Sequence, residues 1–351
     1  MNIWLDFFID SLAFGATFMY GSTGEIITQK SGNMNLGIPG AMYVGGICGV
    51  IGAFLYEQSL PTPDAMNPFL AVLIPTLFCL ISSLLMGLLF CFLTVTLRAN
   101  QNVTGLAMTT FGVGFGNFFG GSLVKLSGAD MPFLALSATS NCFKKTLPFA
   151  DKLGVFGDLV CSYSFLVYLA IAIALIASYI IKRTRTGLHL RPVGENPATA
   201  DAAGINVTRY KYMATCIGAG ISGLGGLYYT MDYIKGTWAS EGTIEALGWL
   251  AVALVIFAVW RSLNAIWGSY LFGFLTWLYM YVPEIRLMLI EALGLEDNAL
   301  QLLNLTRSSQ ELFKMLPYLA TILVLVFVSL RKKRENQPPA ALGLAYFREE
   351  R

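Results

Sequence analysis

Apolar runs long enough to cross a lipid bilayer dominate this sequence and restrict what it can fold into. Two of them, residues 159–181 and 212–229, flank the most polar stretch of the chain. A helix needs about 20 consecutive, mostly apolar residues to cross the hydrocarbon core. Charged residues make up 13% of the chain, about half of what is usual in soluble domains. The sequence therefore predicts an all-α, polytopic helical membrane protein.

About nine transmembrane helices are predicted, in a single membrane domain that covers residues 1–335 and precedes a polar tail at residues 336–351. The predicted spans are residues 3–21, 41–56, 69–97, 105–121, 159–181, 212–229, 246–260, 265–281 and 315–330. Asp6 and Asp10 lie where a cleaved signal peptide would carry basic residues, so we expect residues 3–21 to be a first span.

Basic residues beside the ends of spans mark the cytoplasmic side of a membrane protein. They are Arg98, the cluster at residues 182–191, Arg209, Lys211, Arg261 and the cluster at residues 331–334. This pattern predicts a cytoplasmic C-terminus, an N-terminus outside, and an outer loop at residues 122–158. Because topology accounts for these positions, the net charge of +2 gives no indication of nucleic-acid binding.

The polar stretch in the predicted cytoplasmic loop, residues 182–211, contains the pattern of a short helix. Asn196 is suited to cap it, Pro197 suits the first helical position, and Gly204 suits the end. Alanines fill most of the positions between them. We expect a small-sided helix on which a soluble partner docks, through Gly194, Glu195, Asn196, Pro197, Ala200, Ala203 and Gly204.

A second informative stretch, residues 31–40, holds two asparagines among several glycines and a proline. A regular helix tolerates such residues poorly, at about 1 kcal/mol for glycine and 3 kcal/mol for proline. One interpretation is a broken helix in which Asn33 and Asn35 line a path for a polar solute. The other is a cytoplasmic turn in which the asparagines cap helices.

Further pathway candidates lie at the start of span 4, along it, and at the outer entrance of span 7. Asn102 and Thr104 would offer hydrogen bonds at the inner mouth, although Asn102 also suits a helix cap. Phe111 and Phe115 would stack a planar solute, or else contact lipid or another helix. Trp249 completes the set. The glycine-rich face at residues 218–226 predicts close helix packing.

The residues that the sequence lacks argue against several other classes of function. An ion-coupled secondary transporter usually carries acids inside its spans, and predicted spans 2 to 6 and 8 contain none. The one histidine, His189, lies in the basic loop, and the six cysteines show no CxxC spacing. This argues against a metal site, a disulfide framework or a membrane-embedded enzyme. No Walker A motif occurs, so ATP-driven transport would need an ATPase on another chain.

Four segments, in the same order along the chain, resemble membrane permeases of bacterial ABC importers. Residues 187–197, GLHLRPVGENP, are similar to the pattern GLRLRAVGENP. Three further segments are similar to motifs of the same permeases: residues 32–40 (GNMNLGIPG), 100–107 (NQNVTGLA) and 248–257 (GWLAVALVIF). The branch is the one that carries simple sugars, nucleosides and branched-chain amino acids, and the nucleoside type fits best. Pro39 stands where nucleoside-type members usually carry glutamate, which leaves the solute open.

This resemblance implies a type II ABC importer permease, one of two like or homologous permease subunits. Cytoplasmic ATPase subunits would bind ATP and Mg²⁺, so this chain would bind no cofactor. An extracytoplasmic substrate-binding lipoprotein would deliver the solute, and residues 196–204 would be the coupling helix seated in the ATPase. The implied location is the bacterial cytoplasmic (inner) membrane. The implied solute is a nucleoside, with a sugar or a branched-chain amino acid as the alternative and an ion-coupled transporter as a further one.

Overall fold

The computed structural model describes residues 3–61, 65–126, 133–144, 161–238, 242–293, 313–331 and 337–347. Helices dominate this part of the chain. They are α1 (Ile3–Lys30), α2 (Ile38–Ser59), α3 (Pro68–Cys91), α4 (Gln101–Leu126), α5 (Ser137–Phe143), α6 (Phe165–Arg183), α7 (Arg185–Glu195), α8 (Pro197–Ala202), α9 (Val207–Leu227), α10 (Thr243–Phe257), α11 (Ser262–Leu293) and α12 (Leu316–Arg331). Two π-helical turns, Phe92–Thr96 and Tyr228–Tyr233, extend α3 and α9.

Each predicted span overlaps a helix, which confirms a polytopic helical membrane protein, although α6 begins at Phe165 and α10 ends at Phe257 rather than at the predicted residues 159 and 260. Three helices of the described chain are both long and apolar enough to cross a membrane by composition alone: Ile38–Ser59, Pro68–Thr96 and Phe165–Arg183. The predicted end of the first span at residue 21 was wrong, because α1 continues to Lys30. Its last turns are polar but are buried among other helices, so burial within the protein replaces contact with lipid.

Glycines bring the backbones of neighbouring helices together, as the pattern at residues 218–226 predicts. Gly226 packs so closely on α2 that an added Cβ atom would overlap the carbonyl oxygen of Met42. Gly218 meets the backbone of Gly24 in α1 in the same way. Since lipid offers no hydrophobic drive between helices, such close van der Waals contact is a main source of association. The prediction of close helix packing is confirmed.

Large aromatic side chains fill the centre of the bundle. Tyr20, Tyr43 and Tyr228 are almost completely buried. The Tyr20 hydroxyl donates to the carbonyl oxygen of Leu166 at 2.7 Å, and that of Tyr228 donates to the carbonyl oxygen of Ala13 at 2.7 Å. These bonds join helices that are distant in sequence, and they satisfy polar groups that would otherwise destabilise the core.

The structure describes residues 122–126 and 133–144 of the predicted outer loop, residues 122–158. Its first five residues belong to α4, and α5 lies within it. Strand β1 (Leu134–Ala135) pairs antiparallel with β2 (Thr237–Trp238), so Leu134 lies opposite Trp238. The Trp238 ring packs edge-on against Tyr43 at 5.4 Å between ring centres. Residues 145–158 of this loop lie outside the described residues.

At the opposite end, which we call the basic face, the predicted loop at residues 182–211 is largely helical. The short helix is present as α8, and the Asn196 side chain accepts a hydrogen bond from the Thr199 N–H, which confirms the predicted cap. Helix α7 before it was not predicted. The predicted end of the loop was wrong, because α9 begins at Val207 and already contains Lys211, which is 3% exposed.

Candidate solute pathway and docking surface

Residues 31–37, which we call the junction segment, break the chain between α1 and α2. The backbone there is non-helical, and Gly32 has a positive φ of 84° that favours glycine. Asn33 is completely buried and Asn35 is 3% exposed. The predicted interruption of the helix is therefore present, and it lies inside the protein. Irregular backbone of this kind persists only where surrounding groups satisfy its polar atoms.

The side chains of the two asparagines make different kinds of hydrogen bond. The Asn33 Nδ2 donates to Thr215 Oγ1 of α9 at 3.0 Å, a bond between helices rather than a cap. Asn35 Oδ1 accepts from the Gly37 N–H at 2.9 Å, a bond that closes the turn before α2 but does not cap the helix. Asn33 Oδ1 has no hydrogen-bond partner among the described residues. The segment is thus a hydrogen-bonded turn and a buried polar site.

Glu25 lies beside the junction segment and was not among the predicted site residues. Its side chain is completely buried in α1, and its Oε1 accepts from Gln29 Nε2 at 2.7 Å and from the Asn35 N–H at 3.2 Å. Its other oxygen, Oε2, has no partner among the described residues. The spacing of Glu25 and Gln29, four residues apart, is the sequence feature that could have indicated a hydrogen-bonded pair on a helix. The predicted span 1 ends at residue 21 and therefore excludes both residues.

Helix α4 also forms hydrogen bonds with the junction segment. Gln101 Oε1 accepts from the Met34 N–H at 2.7 Å, and the Thr109 hydroxyl donates to the carbonyl oxygen of Leu36 at 2.9 Å. Thr104 is buried on the same helix. Asn102 is exposed, and the predicted cap at Asn102 was wrong. Asn100 fills that role, since its Oδ1 accepts from the N–H groups of residues 102 and 103.

The aromatic candidates lie apart from the junction segment. Phe111 is 53% exposed on the outward side of α4, and its ring lies 6.1 Å from that of Phe115, which is partly buried. Trp249 is partly buried in α10. The neighbouring Gly248 packs against Pro39 at the start of α2. The structure therefore places Asn33 and Asn35 in one buried segment and Thr104 in a buried position on the adjacent helix α4, and it leaves Phe111 on the outward side of that helix.

A strained turn links α10 to the buried polar site. Val259 and Trp260 have φ values of 53° and 52°, a region that costs non-glycine residues roughly 1–3 kcal/mol each. The turn aims the Trp260 Nε1 at Gln29 Oε1, where it donates a hydrogen bond. The network of Glu25, Gln29 and Asn35 is therefore anchored by α10 as well as by α1.

A polar cavity of about 320 Å³ lies at the end of the bundle opposite the basic face. Asp232, which is 8% exposed, accepts a hydrogen bond from the Ser164 hydroxyl there. Lys144 lines the same cavity, and burial, together with nearby Lys235, lowers the pKa of its ammonium group, while Asp232 opposes the shift. These charges were not predicted as site residues, because the sequence places them in separate loops.

The docking surface on the basic face consists of the exposed residues around α8: Glu195, Asn196, Thr199, Ala202, Ala203 and Gly204. Ala200 faces inward instead and is 1% exposed, packed with Val193 and Val207. Pro197 begins the helix and is partly buried. Most of the predicted docking residues are thus exposed on one surface, whereas Ala200 and Gly194 anchor it to the bundle.

The end of α7, next to the docking surface, contacts the junction segment directly. A Cβ atom added to Gly194 would lie 3.3 Å from the Gly32 nitrogen and would overlap the carbonyl oxygen of Lys30. Both contacts are with backbone atoms, so α7 and the junction segment pack backbone against backbone at this point. Sequence spacing did not predict this contact, because the two glycines are 162 residues apart.

The polar tail packs across both regions. The Ala341 N–H donates to the Gly194 carbonyl oxygen at 3.0 Å, and the Gly343 N–H donates to that of Gly32 at 3.1 Å. The Tyr346 hydroxyl donates to Asp201 Oδ2 at 2.9 Å. Residues 337–347 therefore hold the docking surface and the junction segment together, a role that composition alone did not indicate.

Removal of residues 337–351 is expected to loosen this contact without unfolding the bundle. The truncated chain loses the two backbone hydrogen bonds to Gly32 and Gly194, each worth about 0.5–1.5 kcal/mol. Hydrogen exchange measured by mass spectrometry should accelerate in residues 30–37 and 193–203. A chain that lacks only residues 348–351 keeps these contacts and serves as the control. Unchanged exchange in the longer truncation would show that the tail does not restrain these segments.

Comparisons with known proteins agree with this architecture. A family described as the permease component of branched-chain amino acid transport systems matches residues 7–325. A putative glucose ABC transporter permease, TsgC13 of Haloferax volcanii, is 28% identical over 93% of this chain and 92% of its own length. The nucleoside ABC transporter permease NupC of Lactococcus lactis is 29% identical over 76% and 79%, and the guanosine permease NupQ of Bacillus subtilis is 28% identical over 75% and 78%.

No solved structure matches the chain. In the described residues, no group of three or more histidine, cysteine, aspartate and glutamate side chains is arranged to hold a metal ion. The family match covers most of the bundle, including the junction segment, α7, α8 and α10. This chain belongs to the family of ABC transporter permease components, and it is a multi-pass membrane transport subunit.

Proposed function

We propose that this chain forms the translocation pathway of an ATP-driven importer for a small polar solute, a nucleoside. The observation that carries the proposal is the backbone contact between Gly194, which adjoins the docking surface, and Gly32 of the junction segment. It gives a movement of α8 a direct route to the buried polar groups of Asn33 and Asn35. A partner that pushes on α8 would therefore rearrange the pathway as a rigid body.

The partner that we infer is a cytoplasmic ABC ATPase, which would bind ATP and Mg²⁺. The basic face then lies in the cytoplasm of a bacterial inner membrane, with the N-terminus outside and the C-terminus inside. A second permease subunit and an extracytoplasmic substrate-binding lipoprotein would complete the transporter. Residues 1–335 would act as one membrane domain, with residues 182–211 as the coupling loop and residues 336–351 as a cytoplasmic tail.

Two of the three relatives described above are named for nucleosides or guanosine, which supports a nucleoside as the solute. The relative matched over the largest share of this chain is named for glucose, so a sugar is the second candidate. Asn33 Oδ1 without a partner suits either solute, because both carry hydroxyl groups that donate hydrogen bonds.

The proposal is tested by uptake of radiolabelled guanosine, uridine, glucose and leucine in cells with and without the gene. We expect loss of nucleoside uptake and unchanged uptake of glucose and leucine. Loss of glucose uptake alone would assign the sugar. Uptake that persists in ATP-depleted cells and requires an ion gradient would overturn an ATP-driven importer.

Placing tryptophan at Ala203 is expected to weaken ATPase docking. Ala203 is exposed on the docking surface, and a large side chain there would obstruct a close-fitting groove. We expect the co-purified ATPase and the solute-stimulated ATP hydrolysis to fall by about tenfold, equivalent to about 1.4 kcal/mol. Gly121→Trp, at an exposed position near the far end of α4 where nothing lies within 4 Å of an added Cβ atom, is the matched control. Equal ATPase recovery in the two variants would place the ATPase elsewhere.

A further inference from the structure

A cavity of about 440 Å³ opens on the basic face between the ends of α1 and α6, helix α7 and the first turn of α11. The described residues that line it include four basic ones, Lys30, Lys182, Arg191 and Arg261, and one carboxylate, that of Glu195. Membrane topology explains why basic residues share one face. It does not explain why they converge on one cavity, since like charges repel at short range.

A buried hydroxyl in the same cavity lacks a partner. Ser262 lines the cavity and is 3% exposed, and its Oγ has no hydrogen-bond partner among the described residues. Ser262 is also the first residue of α11, a helix of 32 residues. The first N–H groups of a helix have no partners within it and carry the positive end of its dipole. Hydroxyl, N–H groups and cations together form a site for an anion with several acceptor oxygens.

The cavity lies beside an exposed apolar surface of α6. Ser178, Ile181 and Lys182 of α6 form part of its wall. On the outward side of the same helix, large apolar residues are exposed: Leu175, Ile176, Tyr179 and Ile180. A phosphate held in the cavity would leave an attached hydrocarbon chain free to lie along this apolar surface. Basic cavities between transmembrane helices recognise acidic lipid headgroups in this manner.

We propose that this cavity binds the phosphate group of an anionic phospholipid headgroup. The phosphate oxygens accept hydrogen bonds from the Ser262 hydroxyl and the first turn of α11, and their charge offsets that of Lys182 and Arg191. Because Glu195 belongs to both the cavity wall and the docking surface, a bound lipid steadies α7 beside that surface. This inference goes beyond the proposed function and does not depend on which solute is carried.

The test is native mass spectrometry of the full-length, delipidated protein with its co-purifying partners, titrated with phosphatidylglycerol or with phosphatidylcholine of the same acyl chains. We expect phosphatidylglycerol to bind and phosphatidylcholine to bind much more weakly. The double variant Lys182→Gln/Arg191→Gln should weaken phosphatidylglycerol binding by about tenfold or more. Arg183→Gln/Arg209→Gln removes the same charge from the same face outside the cavity and should retain binding.

Ser262→Ala changes one buried hydroxyl and leaves the charges unaltered, so it tests the site even if the double variant folds poorly. It should weaken binding of phosphatidylglycerol by about threefold to tenfold. Equal losses in the cavity variant and its charge-matched control would overturn the site, since general attraction to the face would then explain binding. Occupancy by inorganic phosphate or ATP without any retained lipid would overturn the assignment to a phospholipid.

Discussion

Replacing Gly226 with alanine is expected to destabilise the bundle by about 3 kcal/mol, at the upper end of the usual cost of overpacking. The added methyl group would overlap the carbonyl oxygen of Met42, a backbone atom that no rotamer change can move. Helices α9 and α2 would have to separate, and contacts along their whole interface would weaken. We expect a lower midpoint of thermal unfolding in detergent and a smaller monodisperse fraction in size-exclusion chromatography.

Gly114→Ala is the matched control for this prediction. Gly114 also lies in a membrane helix, but nothing lies within 4 Å of an added Cβ atom there. Alanine is favoured over glycine in helices by about 0.5–1 kcal/mol, so this variant should be neutral or slightly more stable. If Gly226→Ala were as stable as Gly114→Ala, then α9 and α2 would not be packed as closely as described.

Replacing Asn33 with leucine is expected to reduce solute uptake by about tenfold or more, which corresponds to about 1.4 kcal/mol or more. The variant loses the hydrogen bond to Thr215 in a completely buried position and removes the unpartnered Oδ1. It also leaves the Thr215 hydroxyl, which is completely buried, without this partner. Uptake of the labelled nucleoside is the primary measurement.

Stability and assembly distinguish a role in transport from a structural role. Losing one buried hydrogen bond costs about 1–3 kcal/mol, so the Asn33→Leu protein should still be recovered with its ATPase. Asn141→Leu changes an exposed asparagine in α5 and should leave uptake close to that of the unaltered chain. Normal uptake by Asn33→Leu would limit Asn33 to holding the turn between α1 and α2.

The prediction that transport is not coupled to an ion rested on spans without acidic residues. The structure weakens that argument, because Glu25 lies inside α1 and is completely buried. The sequence predicts a loop around Glu25, because residues 22–30 are too polar for a lipid-facing helix. The assignment to ABC permeases does not depend on that argument, because the family match shows it.

Several features of this protein followed from the sequence alone. The long apolar runs determined the helical membrane architecture, because a backbone in lipid must satisfy its own hydrogen bonds. Asn196, Pro197 and Gly204 determined the short helix α8, because capping depends on adjacent residues only. The glycines at residues 218–226 determined a close helix contact, although they did not identify Met42 as the neighbour.

Only the tertiary structure decided which distant segments meet. Three contacts join residues that are more than 140 positions apart in the sequence. They are the contact of Gly194 with Gly32, the hydrogen bond of Asn33 to Thr215, and the hydrogen bond of Tyr346 in the tail to Asp201. No local pattern encodes such pairs, since they arise when whole helices pack. The same reason applies to the cavity around Ser262, whose lining comes from separate helices and the tail.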